Sequence, residues 1–352
     1  MEILWTILFV ILIIVIVIVA FIILSIIIAC CVGAWGGKCA ATPEEQARWY
    51  PGDELMERFD QNLVRSFTAG IDIDAPVDKV WPWMYQWGGM KSGSLSSEVA
   101  ERLVAHISIY NRYELEDLWQ APDSLMPGDF ADWDRSGMGH EIADVVDCKY
   151  ILGFSDMKHP PRARGAYALS GSLVDDMNFI WGWYFVPLEG NRTRFIVHWK
   201  YYESKNAIMR FALKMVVYNC GRAMQRWQVE YMKKCVEGTM PVSGRNKFFR
   251  KVIGTYHYWP DEVNNKMHCP IERDGREHPA VEEVRPAKLA DPSWPPKDGP
   301  WAMDEDYYKR HIPEAIEEIE RKSAEQQRVA QLKIDALREE LAAIEEGGAS
   351  GD

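Results

Sequence analysis

The sequence predicts an α+β domain in which a curved antiparallel sheet wraps one long C-terminal helix, set behind an N-terminal apolar helix and followed by a tail. Three observations predict it. Residues 3–32 are almost uninterrupted Ile, Val, Leu and Phe, without a charge. Between residues 66 and 202, short runs alternate apolar and polar side chains, as strands with one buried face do. Residues 207–237 then form one long helical stretch, and meandering strands closed by such a helix pack as a sheet on a helix.

Composition bounds the possibilities. A chain of 352 residues with 47% hydrophobic content can bury a sizeable core. The net charge of −12 argues against a nucleic-acid binder, which presents a basic face, and gives no pull toward anionic lipid. The 7 cysteines are scattered without a C-x-x-C pair, which reads as reduced thiols.

The expected organisation is a transmembrane helix at 1–35, a connector at 36–62, the α+β domain at 63–238, a Pro-rich extended tail at 239–310 and an amphipathic or coiled-coil helix at 311–348. The apolar run would extend about 45 Å as a helix, against a hydrocarbon core of about 30 Å. Only Glu2 precedes it, whereas a signal peptide starts with a basic region and has a shorter apolar core. A soluble core helix is not apolar on every side for so long. A single-pass anchor is therefore expected. Lys38 and Arg48 follow the span and no Lys or Arg precedes it, which places the soluble part in the cytoplasm.

The connector is polar, with Pro43-Glu44-Glu45 starting a short helix. Phe67, Ala69, Ile71 and Ile73 then alternate with Thr68, Asp72 and Asp74 as the first strand. Ala75-Pro76 ends it, since proline lacks the N–H a ladder needs. A helix follows with Val77, Val80, Trp81 and Met84 on its apolar side, and Pro82 is expected near its first turn, where a missing N–H costs little. Helical segments are expected around 98–106 and 111–119, strands over 141–154, 167–169, 178–187 and 193–202, and a basic loop over 156–165. Glu189-Gly190-Asn191 is a hairpin turn.

These pieces carry a resemblance. Strand, Ala75-Pro76, then Val80-Trp81-Pro82-Trp83 resembles the opening of the START-like (polyketide cyclase/dehydrase, helix-grip, SRPBCC) superfamily. Trp81-Pro82-Trp83-Met84-Tyr85-Gln86-Trp87-Gly88 is similar to a bacterial subgroup's W-P-W-L-x-Q-x-G. Leu125-Met126-Pro127-Gly128-Asp129 is similar to its L-x-x-G-D, and Asn191-Arg192-Thr193-Arg194-Phe195-Ile196-Val197 to its G-x-T-R-L-x-V. The loop at 92–97 lacks the aromatic and acidic residues the subgroup carries there. The resemblance spans roughly half the chain and implies a helix-grip fold with a cavity between sheet and long helix. It is poor evidence for activity, because one fold hosts many functions.

Such a cavity binds mainly apolar ligands. The expected lining is Trp81, Tyr85, Trp181, Trp183, Phe185, Phe195, Val197, Trp199 and Tyr201, the hairpin members sharing one face by strand parity. Equally, these rings could simply fill a core, because aromatics supply large buried area. His198 is the candidate catalytic residue as a proton shuttle, against a structural histidine. Asp72 and Asp74 share a strand face, either as an acid–base pair or as solvated carboxylates. No metal is expected, since His257, His268 and Cys269 lack the spacing of a zinc site. No P-loop, dinucleotide fingerprint or nucleophile elbow occurs, and no cofactor is expected.

The leading expectation is a membrane-anchored domain that binds a hydrophobic small molecule or lipid in an aromatic-lined cavity, with the bilayer as partner. The alternatives are a cyclase/dehydratase-type enzyme and a scaffold subunit of a membrane complex. The scaffold would act through its tail and through its terminal helix over 314–346, where Ile334, Leu337, Leu341 and Ile344 repeat at heptad spacing and suit a protein partner, self-association or a docked amphipathic helix equally.

Overall fold

A computed structural model describes residues 2–84, 87, 95–97, 126–132, 139–156, 178–240, 281, 284–285, 288, 291, 299–302 and 305–348. The chain divides into two compact units, Met1–Ala280 and Val281–Asp352. The expected helices at 98–106 and 111–119, the strand at 167–169, nearly all of the basic loop and most of the Pro-rich tail lie outside the described residues.

In the first unit, α1 (Glu2–Gly36) is followed by a 3-10 turn and the short α2 (Pro43–Ala47). A capping box starts α2: Thr42 Oγ1 accepts from the Glu45 N–H, and Glu45 Oε2 accepts from the Thr42 N–H. The described strands are β1 (Val64–Ile73), β2 (Phe130–Asp132), β3 (Gly139–Val146), β4 (Tyr150–Ser155), β5 (Phe179–Leu188) and β6 (Arg192–Tyr202). They form a 6-stranded antiparallel sheet in the order β1-β6-β5-β4-β3-β2. The turn between β5 and β6 places Gly190 at φ 74° and Asn191 at φ 56°, a left-handed pair that glycine and asparagine tolerate best.

Between β1 and β2 lies α3 (Val77–Met84), which buries Val77, Val80, Trp81, Trp83 and Met84. Pro82 sits in its second turn, not its first, so the Asp78 carbonyl loses its helical donor. After β6 the chain runs through α4 (Ala207–Leu213), a π-helical turn (Lys214–Tyr218) and α5 (Asn219–Val236). Asn206 caps α4, its Oδ1 accepting from Ile208 and Met209 N–H. The helix α5 packs on β1, β6 and α3, which makes this an α+β helix grip.

The connector is not a free linker. Tyr50, Leu55 and Met56 are fully buried, and Ala40 bridges to Ala69 at the β1 backbone. Its polar side chains pair with the sheet, which is why the hydrophobic pattern alone does not reveal its packing.

The last two turns of α1 pack along the π turn and α5. Gly33 lies against Asn219 and Gly36 against the backbone at Arg222 and Ala223, so the two helices run in the same direction there. A side chain at either glycine would overlap α5, a close approach that needs small residues. Trp35 completes the contact. Its ring stands 5.3 Å from that of Trp227, Arg226 lies over it at 4.3 Å, and its carbonyl accepts from Arg226 Nη1.

In the second unit the longest described element is the helix α6 (Glu305–Gly348), which starts earlier than the sequence pattern suggests. Ile316, Ile319, Leu332, Ile334 and Leu337 are exposed on it.

Candidate functional site

Strand parity puts Trp181, Trp183 and Phe185 of β5 on the same face as Phe195, Val197, Trp199 and Tyr201 of β6. All seven are buried, and this face meets α5: Trp199 lies against Gly221, and Trp183 Nε1 donates to Gln228 Oε1 at 3.3 Å. Trp181 stacks between its neighbours, with ring centroids 5.9 Å from Trp199 and 6.1 Å from Trp183. Tyr201 stacks on Tyr218 at 4.0 Å at one end, and Trp81 meets Phe185 edge-on at 5.2 Å at the other. The structure thus brings together eight of the nine expected lining residues; Tyr85 lies outside the described residues.

Two kinds of polar group stand on this wall that sequence reasoning missed. The first comes from α5, whose inward stripe runs Gly221, Gln225, Gln228, Met232. Gln225 and Gln228 are 0% and 1% exposed. Among the described residues, neither end of the Gln225 amide has a hydrogen-bond partner, nor has Gln228 Nε2 or Trp199 Nε1. Each unmatched buried group costs about 1–3 kcal/mol. The available signal was the four–three spacing that puts these glutamines in line with Gly221, Val229 and Met232.

The second is His140, near the start of β3 and fully buried. Its ring lies 5.1 Å from Trp87 and 5.8 Å from Trp183, both in stacked orientation. Burial pushes its pKa down to about 3, so the imidazole is neutral at ordinary pH. A general base works best with a pKa near the operating pH, so His140 would be a weak one. It sits just outside the alternating run that marked the strand.

His198 faces the other way. It lies on the outer face of β6, stacked on Tyr50 of the connector with centroids 4.5 Å apart. Its Nδ1 is 2.8 Å from Thr68 Oγ1 and its Nε2 is 3.1 Å from Asp53 Oδ1, which also pairs with Lys200 Nζ at 3.2 Å. Burial pushes the Asp53 carboxyl up, but His198, Lys200 and the Tyr50 N–H outweigh it and hold the group below its ordinary value. Nearby, Arg194 clamps Glu45 through both carboxylate oxygens at 2.9 and 2.7 Å. Asp72 binds Arg192 and Arg194 with its side chain 44% exposed, as a solvated carboxylate would. His198 is thus separated from the aromatic wall by the sheet and covered by the connector.

Among the described residues, no group of three or more His, Cys, Asp or Glu side chains is arranged to hold a metal ion. The wall offers stacking surfaces, neutral hydrogen-bonding groups and a neutral imidazole. That chemistry suits an uncharged, largely apolar molecule.

No family model matches the chain, and no curated protein matches it by sequence. Solved structures do. Ms6760 from Mycobacterium smegmatis matches over 49% of this chain and 92% of its own, at 16% identity and a TM-score of 0.26. DynU16, a protein in the dynemicin biosynthetic locus, matches over 50% of this chain and 48% of its own, at 13% identity and a TM-score of 0.26. CalU16 from Micromonospora echinospora matches over 50% of this chain and 85% of its own, at 12% identity and a TM-score of 0.18. TM-scores this low carry no argument about fold or activity.

Proposed function

We propose that this chain is a membrane-anchored START-like domain that holds a hydrophobic small molecule or lipid between its sheet and α5. The buried aromatic wall facing α5 carries the reading: Trp181, Trp183 and Trp199 form a continuous apolar surface closed by a helix that presents Gly221 rather than a side chain to Trp199. The anchor supports a bilayer source for the ligand. The helix α1 is long and apolar enough to span a membrane, and it is locked to α5 through Gly33, Trp35 and Gly36. A tether of that kind raises the effective concentration of the domain at the bilayer surface. Lys38 and Arg48 favour a cytoplasmic domain.

The helix α4 fits the same arrangement. It precedes the π turn that packs on α1, so the chain there heads toward the apolar run. Its Ile208 and Phe211 are 81% and 54% exposed, which suits the interfacial zone of a bilayer.

Photolabelling tests the reading. A clickable, diazirine-bearing fatty alcohol, which carries no charge, fed to membranes holding the full chain is expected to label peptides containing Trp181, Trp183 and Trp199 as well as α1. Labelling confined to α1 would count against a ligand site.

An assembly role through α6 is the second reading. The specific observation behind it is the exposed row Ile316, Ile319, Ile334 and Leu337, which a second copy or a partner helix could cover. The cyclase-type reading would need groups other than His198 on the aromatic side, because His198 could act only on a substrate reaching the covered outer face.

A further inference from the structure

We infer that the ligand is not a plain hydrocarbon but a planar, uncharged molecule bearing carbonyl or hydroxyl oxygen, read out by Gln225, Gln228 and the Trp199 indole N–H. This rests on the proposed binding function and narrows it to a ligand class.

The observation is the set of unmatched polar atoms. Gln228 spends its carbonyl on Trp183 Nε1, which fixes the amide and leaves the Nε2 donor free among the described residues. Gln225 has both donor and acceptor unmatched, and Trp199 Nε1–H is a third unmatched donor. These residues are 1%, 0% and 3% exposed, so bulk water does not satisfy them. Buried polar groups in folded proteins are almost always partnered, and a cluster of exceptions points to something bound there.

Their placement makes them one site. Gly221, Gln225 and Gln228 follow each other at four and three residues on one face of α5. Gly221 covers Trp199 and Gln228 covers Trp183, so Gln225 falls over the Trp181 part of the wall, between its stacked neighbours. A flat molecule against those rings would place its edge on the glutamines. Unmatched donors outnumber unmatched acceptors, so the edge must carry acceptors, as ketone and ether oxygens do, with a hydroxyl able to meet both ends of the Gln225 amide. The polar groups named on the wall carry no charge, and an ionised ligand would meet no counter-charge from them.

The test uses a matched probe pair, 9-fluorenone and fluorene, which differ by one carbonyl in place of a methylene. Binding to the full chain in one detergent is followed by quenching of tryptophan fluorescence, so that partition into detergent cancels between wild type and variant. The wild type is expected to prefer fluorenone by about tenfold, one hydrogen bond's worth of discrimination in a buried site. In Q225L/Q228L the preference is expected to fall, with the Trp199 N–H still in place, while fluorene still binds. Equal binding of both probes to the wild type would overturn the inference and leave apolar binding intact, the glutamines then holding water. Binding of neither probe would overturn the binding function and the inference with it. A second readout needs no variant: the C=O stretch of bound fluorenone should move to lower frequency than in hexane, and an unmoved band would overturn the inference even if the variant failed to fold.

Discussion

His198 Nε2 lies 3.1 Å from Asp53 Oδ1, joining the middle of β6 to a segment 145 residues earlier in the chain. The contact sits under the Tyr50 ring and is extended by Thr68 on one side and Lys200 on the other. It pins the connector to the back of the sheet. Removing one member leaves the others buried with an unmet charge or hydrogen bond. Asp53→Ala is therefore expected to cost about 3 kcal/mol of stability, measured by denaturant unfolding of the full chain. His198→Gln, which keeps a hydrogen-bonding side chain, should cost less. If both variants unfold like the wild type, the pin does not contribute.

The acid side of the stability curve should show two separate windows. His140 has a folded pKa of about 3 against an ordinary 6.5, so the unfolded chain takes up its proton first. Stability from keeping it neutral is whole above pH 6.5 and drains as pH falls toward 3, at a slope of up to about 1.4 kcal/mol per pH unit. Asp53 is held below its ordinary 3.8, so its share is whole above that value and is lost only below it. His140→Phe should flatten the first window, and Asp53→Asn the second. Unfolding midpoints followed from pH 8 to pH 2 would separate them; an unchanged slope in His140→Phe would show that the buried imidazole is not its source.

The parallel packing of α1 on α5 should be intolerant of bulk. Gly36→Leu would press a side chain into the backbone at Arg222 and Ala223, at an overpacking cost of about 1–3 kcal/mol. Gly37→Leu, one residue on, meets open space and serves as the control. Thermal melts in detergent should show a lowered midpoint for the first variant only. Equal midpoints would mean that α1 is not seated on α5.

For α4, the expected outcome is contact with lipid. With the proposed anchoring, Phe211→Trp in proteoliposomes should emit at short wavelength and be quenched by brominated acyl chains, because Phe211 is an exposed apolar side chain on α4. The background tryptophans are controlled by subtracting the parent protein. Carbonate extraction separates the possible failures: a chain that washes off was never anchored, whereas an anchored chain without quenching keeps α4 clear of the bilayer.

Much of this was legible in the sequence, for a physical reason. The hairpin residues Trp181 to Tyr201 show their faces because the side-chain period of a strand is two, and Gly190-Asn191 marks the turn because both residues tolerate positive φ. The helix closing the domain is legible from its length and apolar stripe. The short helix of the connector is legible from Pro43, but its packing is not, because Tyr50 and Asp53 bury against the distant His198, and polar burial leaves no periodic mark. His198 stands out as a histidine among aromatics, but which face is concave depends on the partner helix and not on the strand. Gln225 and Gln228 look like ordinary polar helix positions until α5 is seated on Trp199 and Trp183.

The most direct test of ligand binding is native mass spectrometry of the full chain, purified from membranes in mild detergent, with solvent extraction and identification of whatever is bound. The expected result is a stoichiometric adduct of defined mass, lipophilic and oxygen-bearing, that is lost or exchanged in Trp181→Ala/Trp199→Ala. A chain that flies at its sequence mass, with nothing extracted beyond bulk membrane lipid, would contradict it.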